Sequence, residues 1–187
     1  MEPDAAYLYA SGLHALEGRG LVDVGSMASW SVSSNKPGYG VIALRKDSPD
    51  TYWQSDGQQP HELIIRFTKL VAIERISLFL NYYTDESYTP SKIAVFAGSG
   101  DHDLIKVLQV EFDSPMGWRH IKFTGCSKEG VLKCHVVKLV FLANHQNGKD
   151  SHVRAVKVMS MGNHIQEGGE EEVGFTSIKF LSESIIR

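Results

Sequence analysis

Along the middle of this chain apolar residues return at every second position, in runs of strand length. Ile76, Leu78 and Leu80 alternate with Arg75 and Ser77, and Ile93 and Val95 with Lys92 and Ala94. Leu108, Val110 and Phe112 alternate with Gln109 and Glu111, and Arg119, Ile121 and Phe123 with Trp118, His120 and Lys122. Successive side chains of a strand point to opposite faces, so this period predicts strands with one face on a core. HVVKLVFLA (135–143) is nearly continuous in apolar residues and reads as a central strand buried on both faces. An apolar run following His61, together with HVRAVKVMSM (152–161) and FTSIKFL (175–181), completes a set of about eight strands, as in jelly rolls. Turn signals separate them: Lys36-Pro37-Gly38, Ser55-Asp56-Gly57, Gly98-Ser99-Gly100, Ser114-Pro115, Asn147-Gly148 and Gly168-Gly169. The predicted class is all-β, an antiparallel sandwich or jelly roll rather than a βαβ fold. Residues 3–18 are the exception, with Ala5, Leu8, Ala15 and Leu16 spaced for one short helix.

At 187 residues the chain suits one domain with a sizeable core. Its net charge of −3 with scattered Lys and Arg gives no electrostatic footprint for nucleic acid and no polybasic patch for a membrane. Glu2 and Asp4 stand where a secretory leader needs positive charge, and the run 136–143 is too short to span a bilayer. Two cysteines, Cys126 and Cys134, and no Asn-x-Ser/Thr sequon fit an intracellular protein with reduced thiols. A Cys126–Cys134 bridge across a hairpin is the other arrangement.

The motifs of catalysis are missing. There is no Gly-x-Ser-x-Gly elbow, and GSGDHD (98–103) lacks the Lys-Ser/Thr of a phosphate-binding loop and reads as a hairpin turn. The eight histidines form no His-x-His or His-Glu-x-x-His pair, so no metal or cofactor is expected. Asp85 and Glu86 are adjacent and should point apart. What stands out instead is three polar segments rich in both donors and acceptors: TYWQSDGQQPH (51–61), YYTDESYTPS (82–91) and LANHQNGKDSHVR (142–154). On a sandwich, loops from alternate strands gather at one end, so the three can share one mouth. The plainer reading is that these residues satisfy the backbone of long turns. The stretch EGGEEE (167–172) reads as a solvated loop.

These same segments carry a resemblance. SWSVSSNKPGYGVIALRKDSPDTYWQSDGQQPH, TDESYTPSKI and LANHQNGKDSHVR resemble the Doc-domain subunits of the anaphase-promoting complex over roughly residues 24–158, nearly without gaps. The resemblance implies a jelly roll of the galactose-binding, discoidin-like type spanning 21–181, an N-terminal extension over 1–20 and a docking tail over 182–187. It also implies a non-catalytic subunit of a cell-cycle ubiquitin ligase, in nucleus and cytoplasm. Such a subunit captures destruction-box substrates beside a propeller-type activator and promotes processive ubiquitination.

Carried onto this chain, the substrate-binding rim comprises Gln54, Ser55 and Asp56, then Ser87 and Tyr88, then Asn144, His145, Gln146 and Asn147. Tyr52 and Trp53 are expected as core anchors beneath it, and Arg154 and Asp150 as a buried pair shaping the third loop. Family members end in Ile-Arg, so Ile186 and Arg187 are expected to dock a tetratricopeptide subunit. A discoidin-like module binding glycan or lipid is the alternative, because one fold serves many ligands.

Overall fold

The computed structural model describes residues 4–162. The expected strand 175–181, the acidic loop 167–172 and the tail with Ile186 and Arg187 lie outside the described residues. The chain opens with helix α1 (Ala5–Glu17), capped by the Asp4 carboxylate, which accepts the Ala6 N–H at 3.0 Å. Strands follow: β1 (Leu21–Asp23), β2 (Ala28–Val32), β3 (Trp53–Gln54), β4 (His61–Ile73) and β5 (Arg75–Asn81). After one helical turn, α2 (Tyr82–Asp85), come β6 (Pro90–Gly98), β7 (Ile105–Glu111), β8 (Met116–Lys122), β9 (Leu132–Asn144), β10 (His152–Val153) and β11 (Ala155–Met161).

All described pairings are antiparallel, in a five-stranded sheet β2-β4-β9-β6-β7 facing a four-stranded sheet β1-β11-β5-β8. The alternation in the sequence becomes the core directly. Leu63 opposes Leu139 and Ile65 opposes Val137 in the larger sheet, while Ile76 opposes Val158 and Leu78 opposes Val156 in the smaller. All eight lie in one buried cluster. Central β9 keeps its core face dry, but Lys138 on the other face is only half-buried.

β5 departs from the half-buried expectation, since every residue from Arg75 to Asn81 is buried. The cause is α1, which covers its outer face. Tyr9 packs edge-on against Phe79 at 5.1 Å and tilted against Trp118 at 5.1 Å, and the Trp118 indole N–H donates to the Tyr9 carbonyl at 3.0 Å. The polar residues on that face are accordingly paired, Arg75 with Glu74 and the Ser77 hydroxyl with His120 Nδ1 at 2.8 Å. Gly12 permits the close approach, because a Cβ there would lie 2.2 Å from Trp118 Cδ1. Gly12→Ala should therefore destabilise the fold by about 1–3 kcal/mol through overpacking, although alanine favours a helix by about 1 kcal/mol. Urea unfolding followed by tryptophan fluorescence tests this, and a stabilised variant would mean Trp118 has room to move.

A second departure concerns residues 152–161. They form two strands rather than one: β10 pairs with β3 in a small ribbon, β11 joins the smaller sheet, and Arg154 sits at the break. Cys126 and Cys134 are free thiols, and burial pushes Cys134 up to about 12. The register places the three polar segments together. His61 opposes Phe141 and Pro90 opposes Asn144, so β4 and β6 begin where β9 ends.

Candidate functional site

The mouth is held from beneath by hydrogen bonds between its loops. Ser55 is fully buried; its hydroxyl donates to Asp150 Oδ1 at 3.2 Å and accepts the Ser151 N–H at 2.8 Å. The Asn144 amide donates to the carbonyls of Gly148 and Asp150 and accepts from the Ser151 hydroxyl. His61 Nε2–H donates to the Lys149 carbonyl at 2.6 Å, and the Gln59 amide donates to the Gly148 carbonyl at 2.9 Å. At Gly148 the third segment meets the second so closely that a Cβ would lie 1.7 Å from the Ser87 carbonyl oxygen.

His145 is similarly committed. Its Nδ1–H donates to the Thr89 carbonyl at 2.9 Å, and Nε2 accepts the Ser114 N–H at 3.1 Å. These two partners fix the neutral Nδ1–H tautomer. The turn after β7, which the sequence did not mark as part of the site, thus belongs to it.

Asp85 is the buried charge of the site. Its oxygens accept Arg154 Nε at 2.8 Å, Arg154 Nη2 at 2.7 Å and His152 Nδ1 at 3.1 Å. Burial alone would raise its pKa; the hydrogen bonds from His152 and Arg154 and the guanidinium charge outweigh that and hold the carboxyl below the usual carboxylate range. Arg154 therefore pairs with Asp85 and not with Asp150. The expected pairing failed because Asp85, from the second loop, reaches across to the third. Tyr52 also departs from expectation. Trp53 is fully buried against Phe141, but Tyr52 stacks between Tyr39 and His152 and is only half-buried.

Of the nine rim residues expected from sequence, Ser55, Asn144 and His145 turn their polar atoms inward and shape the loops. The other six face outward: Gln54 and Ser87 are half-buried, and Asp56, Tyr88, Gln146 and Asn147 are exposed. Gln146 donates to the Tyr82 hydroxyl at 3.1 Å, leaving its carbonyl oxygen free. The Asp56 N–H donates to the Ser34 hydroxyl at 3.1 Å, while the side chains of Asp56, Ser87 and Asn147 take no hydrogen bond among the described residues. The loops that carry them are strained. The non-glycine residues with positive φ in the described chain are Glu86 (45°), Ser114 (41°), Gln146 (52°) and Asn147 (57°), all at this end. Such backbone persists only where the surroundings enforce it, and it collects at binding sites. Among the described residues no group of three metal-ligating side chains converges.

The family model for anaphase-promoting complex, subunit 10 matches residues 9–184. The chain belongs to the anaphase-promoting complex subunit 10 family. Within it, the Schizosaccharomyces pombe subunit 10 is 42% identical over 168 residues, 90% of this chain and 89% of its own length. The Homo sapiens subunit 10 is 44% identical over 144 residues, 76% of this chain and 77% of its own. Among solved structures, a family 32 carbohydrate-binding module of Clostridium perfringens, solved with galactose, superposes with a TM-score of 0.63 over 75% of this chain and 99% of its own. It is 10% identical, so the likeness is one of fold. This subunit 10 chain is thus an antiparallel jelly roll with the fold of galactose-binding modules; the strand pattern implied the jelly roll, and the family resemblance implied its type.

Proposed function

We propose that this chain is a non-catalytic subunit of the anaphase-promoting complex that holds destruction-box substrates jointly with a propeller-type activator. Family membership supports the assembly. The observation that carries the substrate role is the mouth itself, where strained and internally braced loops present Gln54, Asp56, Ser87, Gln146 and Asn147 with uncommitted donors and acceptors. Such a rim suits an extended peptide, whose backbone amides need partners on both sides. Binding one substrate at two linked sites raises avidity by about 10²–10⁴ without new contacts, and longer residence yields longer ubiquitin chains. On this reading Ile186 and Arg187 dock a tetratricopeptide subunit, and the protein works in nucleus and cytoplasm.

Gln146→Ala with Asn147→Ala tests the role of the rim. The pair should shorten the ubiquitin chains added per binding event by several-fold while the complex still assembles. Unchanged chain length would remove the substrate role and leave only assembly. The stacked tyrosines at the mouth favour one second reading, a glycan site, and a reproducible hit on a glycan array supports it.

A further inference from the structure

Four aromatic rings stand in one column across the mouth. Tyr39 stacks on Tyr52 at 4.9 Å, Tyr52 on His152 at 4.3 Å, and His152 on Tyr88 at 4.2 Å with only 13° between planes. The inner rings are covered on both faces. The end rings, Tyr39 and Tyr88, stay 37% and 40% exposed, and among the described residues each stacks on one ring of the column. His152 is 9% exposed, and its Nδ1–H is given to Asp85. Its other nitrogen, Nε2, is buried and meets no hydrogen-bond partner among the described residues.

Beside the uncommitted amides and hydroxyl of the rim, the free charged and aromatic groups around the column are mostly electron-rich: two part-exposed rings and the carboxylates of Asp56 and Glu86. Asp150 adds a third carboxylate that takes only the Ser55 hydroxyl. Across segments 51–61, 82–91 and 142–154 the cations are Lys149 and Arg154, and Arg154 is spent on Asp85 and the Pro49 carbonyl. A ring face attracts cations through its quadrupole. The two ends are not equivalent, because Tyr39 lies in a segment that also carries Lys36 and Lys46. Tyr88 lies beside Glu86, Ser87 and the Gly148 crossing, where the free polar groups are.

We infer that the Tyr88 end of this column is a subsite for a basic side chain, a lysine or arginine of the captured peptide laid against the ring. Asp85 orients His152, and His152 backs Tyr88 in the plane that receives the cation. The inference rests on the peptide-capture reading above and names the chemistry of one contact within it.

The test uses the anaphase-promoting complex reconstituted with this chain and an activator, titrated with a destruction-box peptide. Its lysines and arginines are replaced one at a time by norleucine or citrulline, which keep shape and remove charge. In the wild-type complex one such replacement should weaken binding roughly 5- to 30-fold, the span from an exposed to a desolvated cation–ring contact. Tyr88→Leu should weaken the parent peptide by the same factor and abolish the penalty at that position, while Tyr88→Phe, which keeps the ring, restores it. Tyr88 is exposed, and co-purification of the complex checks that assembly is intact. If no basic position couples to Tyr88 while the Gln146→Ala, Asn147→Ala pair still weakens capture, the subsite is wrong and peptide capture stands. If neither variant weakens capture, peptide capture fails and takes the subsite with it. If Tyr88→Leu loses galactose or another pyranose but no peptide, the column is a sugar platform and the inference is overturned.

Discussion

Gly148→Ala should cost the mouth its function and leave the sandwich folded. The backbone at Gly148 has φ −59° and ψ 142°, a conformation open to any residue, so space alone is at issue. The added Cβ would meet the Ser87 carbonyl oxygen at 1.7 Å and its carbon at 2.6 Å. Both are backbone atoms on a short, strained segment and cannot swing aside. The second and third loops must separate, straining the carbonyl of residue 148 away from Gln59 and Asn144. Overpacking of this kind costs about 1–3 kcal/mol, within reach of a domain whose core lies elsewhere. Joint capture should fall about 10- to 100-fold, much of the gain that linkage supplies. Destruction-box peptide titration of the reconstituted complex, beside a thermal melt of the chain, separates the two effects. Wild-type capture by Gly148→Ala would mean that the loops need not touch to bind.

Asp85→Asn should be the most destabilising change at the site. Asp85 has a side chain 4% exposed and Arg154 one 11% exposed, so removing the carboxylate leaves a buried guanidinium without its counter-charge. Breaking such a pair costs about 3–5 kcal/mol, or ~6–20 °C in melting temperature for a chain of this size. Removing both partners, with Asp85→Leu and Arg154→Met, should recover much of the loss, since an apolar pair leaves no charge unpaired. It should not recover ligand binding, because His152 then has no anchor. The pH dependence carries a sign. The folded carboxyl titrates below its unfolded counterpart, so its stabilisation is complete above about pH 4 and fades as the pH falls through the lower, folded value. Asp85→Asn should remove that part of the acid slope. Melts from pH 7 down to pH 3 decide it, and an unchanged slope would show that other carboxylates carry the acid sensitivity.

Much of the architecture was written in local pattern. Ile76, Leu78, Leu80, Ile93 and Val95 sit where a period of two puts them, because alternation and burial are the same fact on a sandwich. The outer face of β5 was not legible, since nothing local shows that Tyr9, seventy positions before Phe79, packs onto it. The three mouth segments were legible as a group by their residue types, but the direction of each side chain was not. Ser55 and Asn144 are as polar as Gln54 and Asn147; what turns them inward is Asp150 and Ser151, whose places depend on the whole register. Tyr52 and Trp53 look alike in sequence; Trp53 opens β3 and enters the core, while Tyr52 stands just before that strand and stacks on rings brought in from Tyr39 and His152. The Asp85–Arg154 pair and the positive φ at Glu86 and Ser114 left no mark in the sequence.

The order in which the chain leaves the ribosome matters for this design. Ser55 must wait for Asp150 and Ser151, 95 and 96 residues later, and β1 must wait for β11, since Leu21 opposes Met161. At about 5–20 residues per second, synthesis keeps the first mouth loop without its braces for roughly 5–20 s. Pairings of such long range form late for entropic reasons as well. A nascent chain therefore carries edges and loops but no assembled mouth. Unfinished copies have nothing with which to compete for ligand against completed ones.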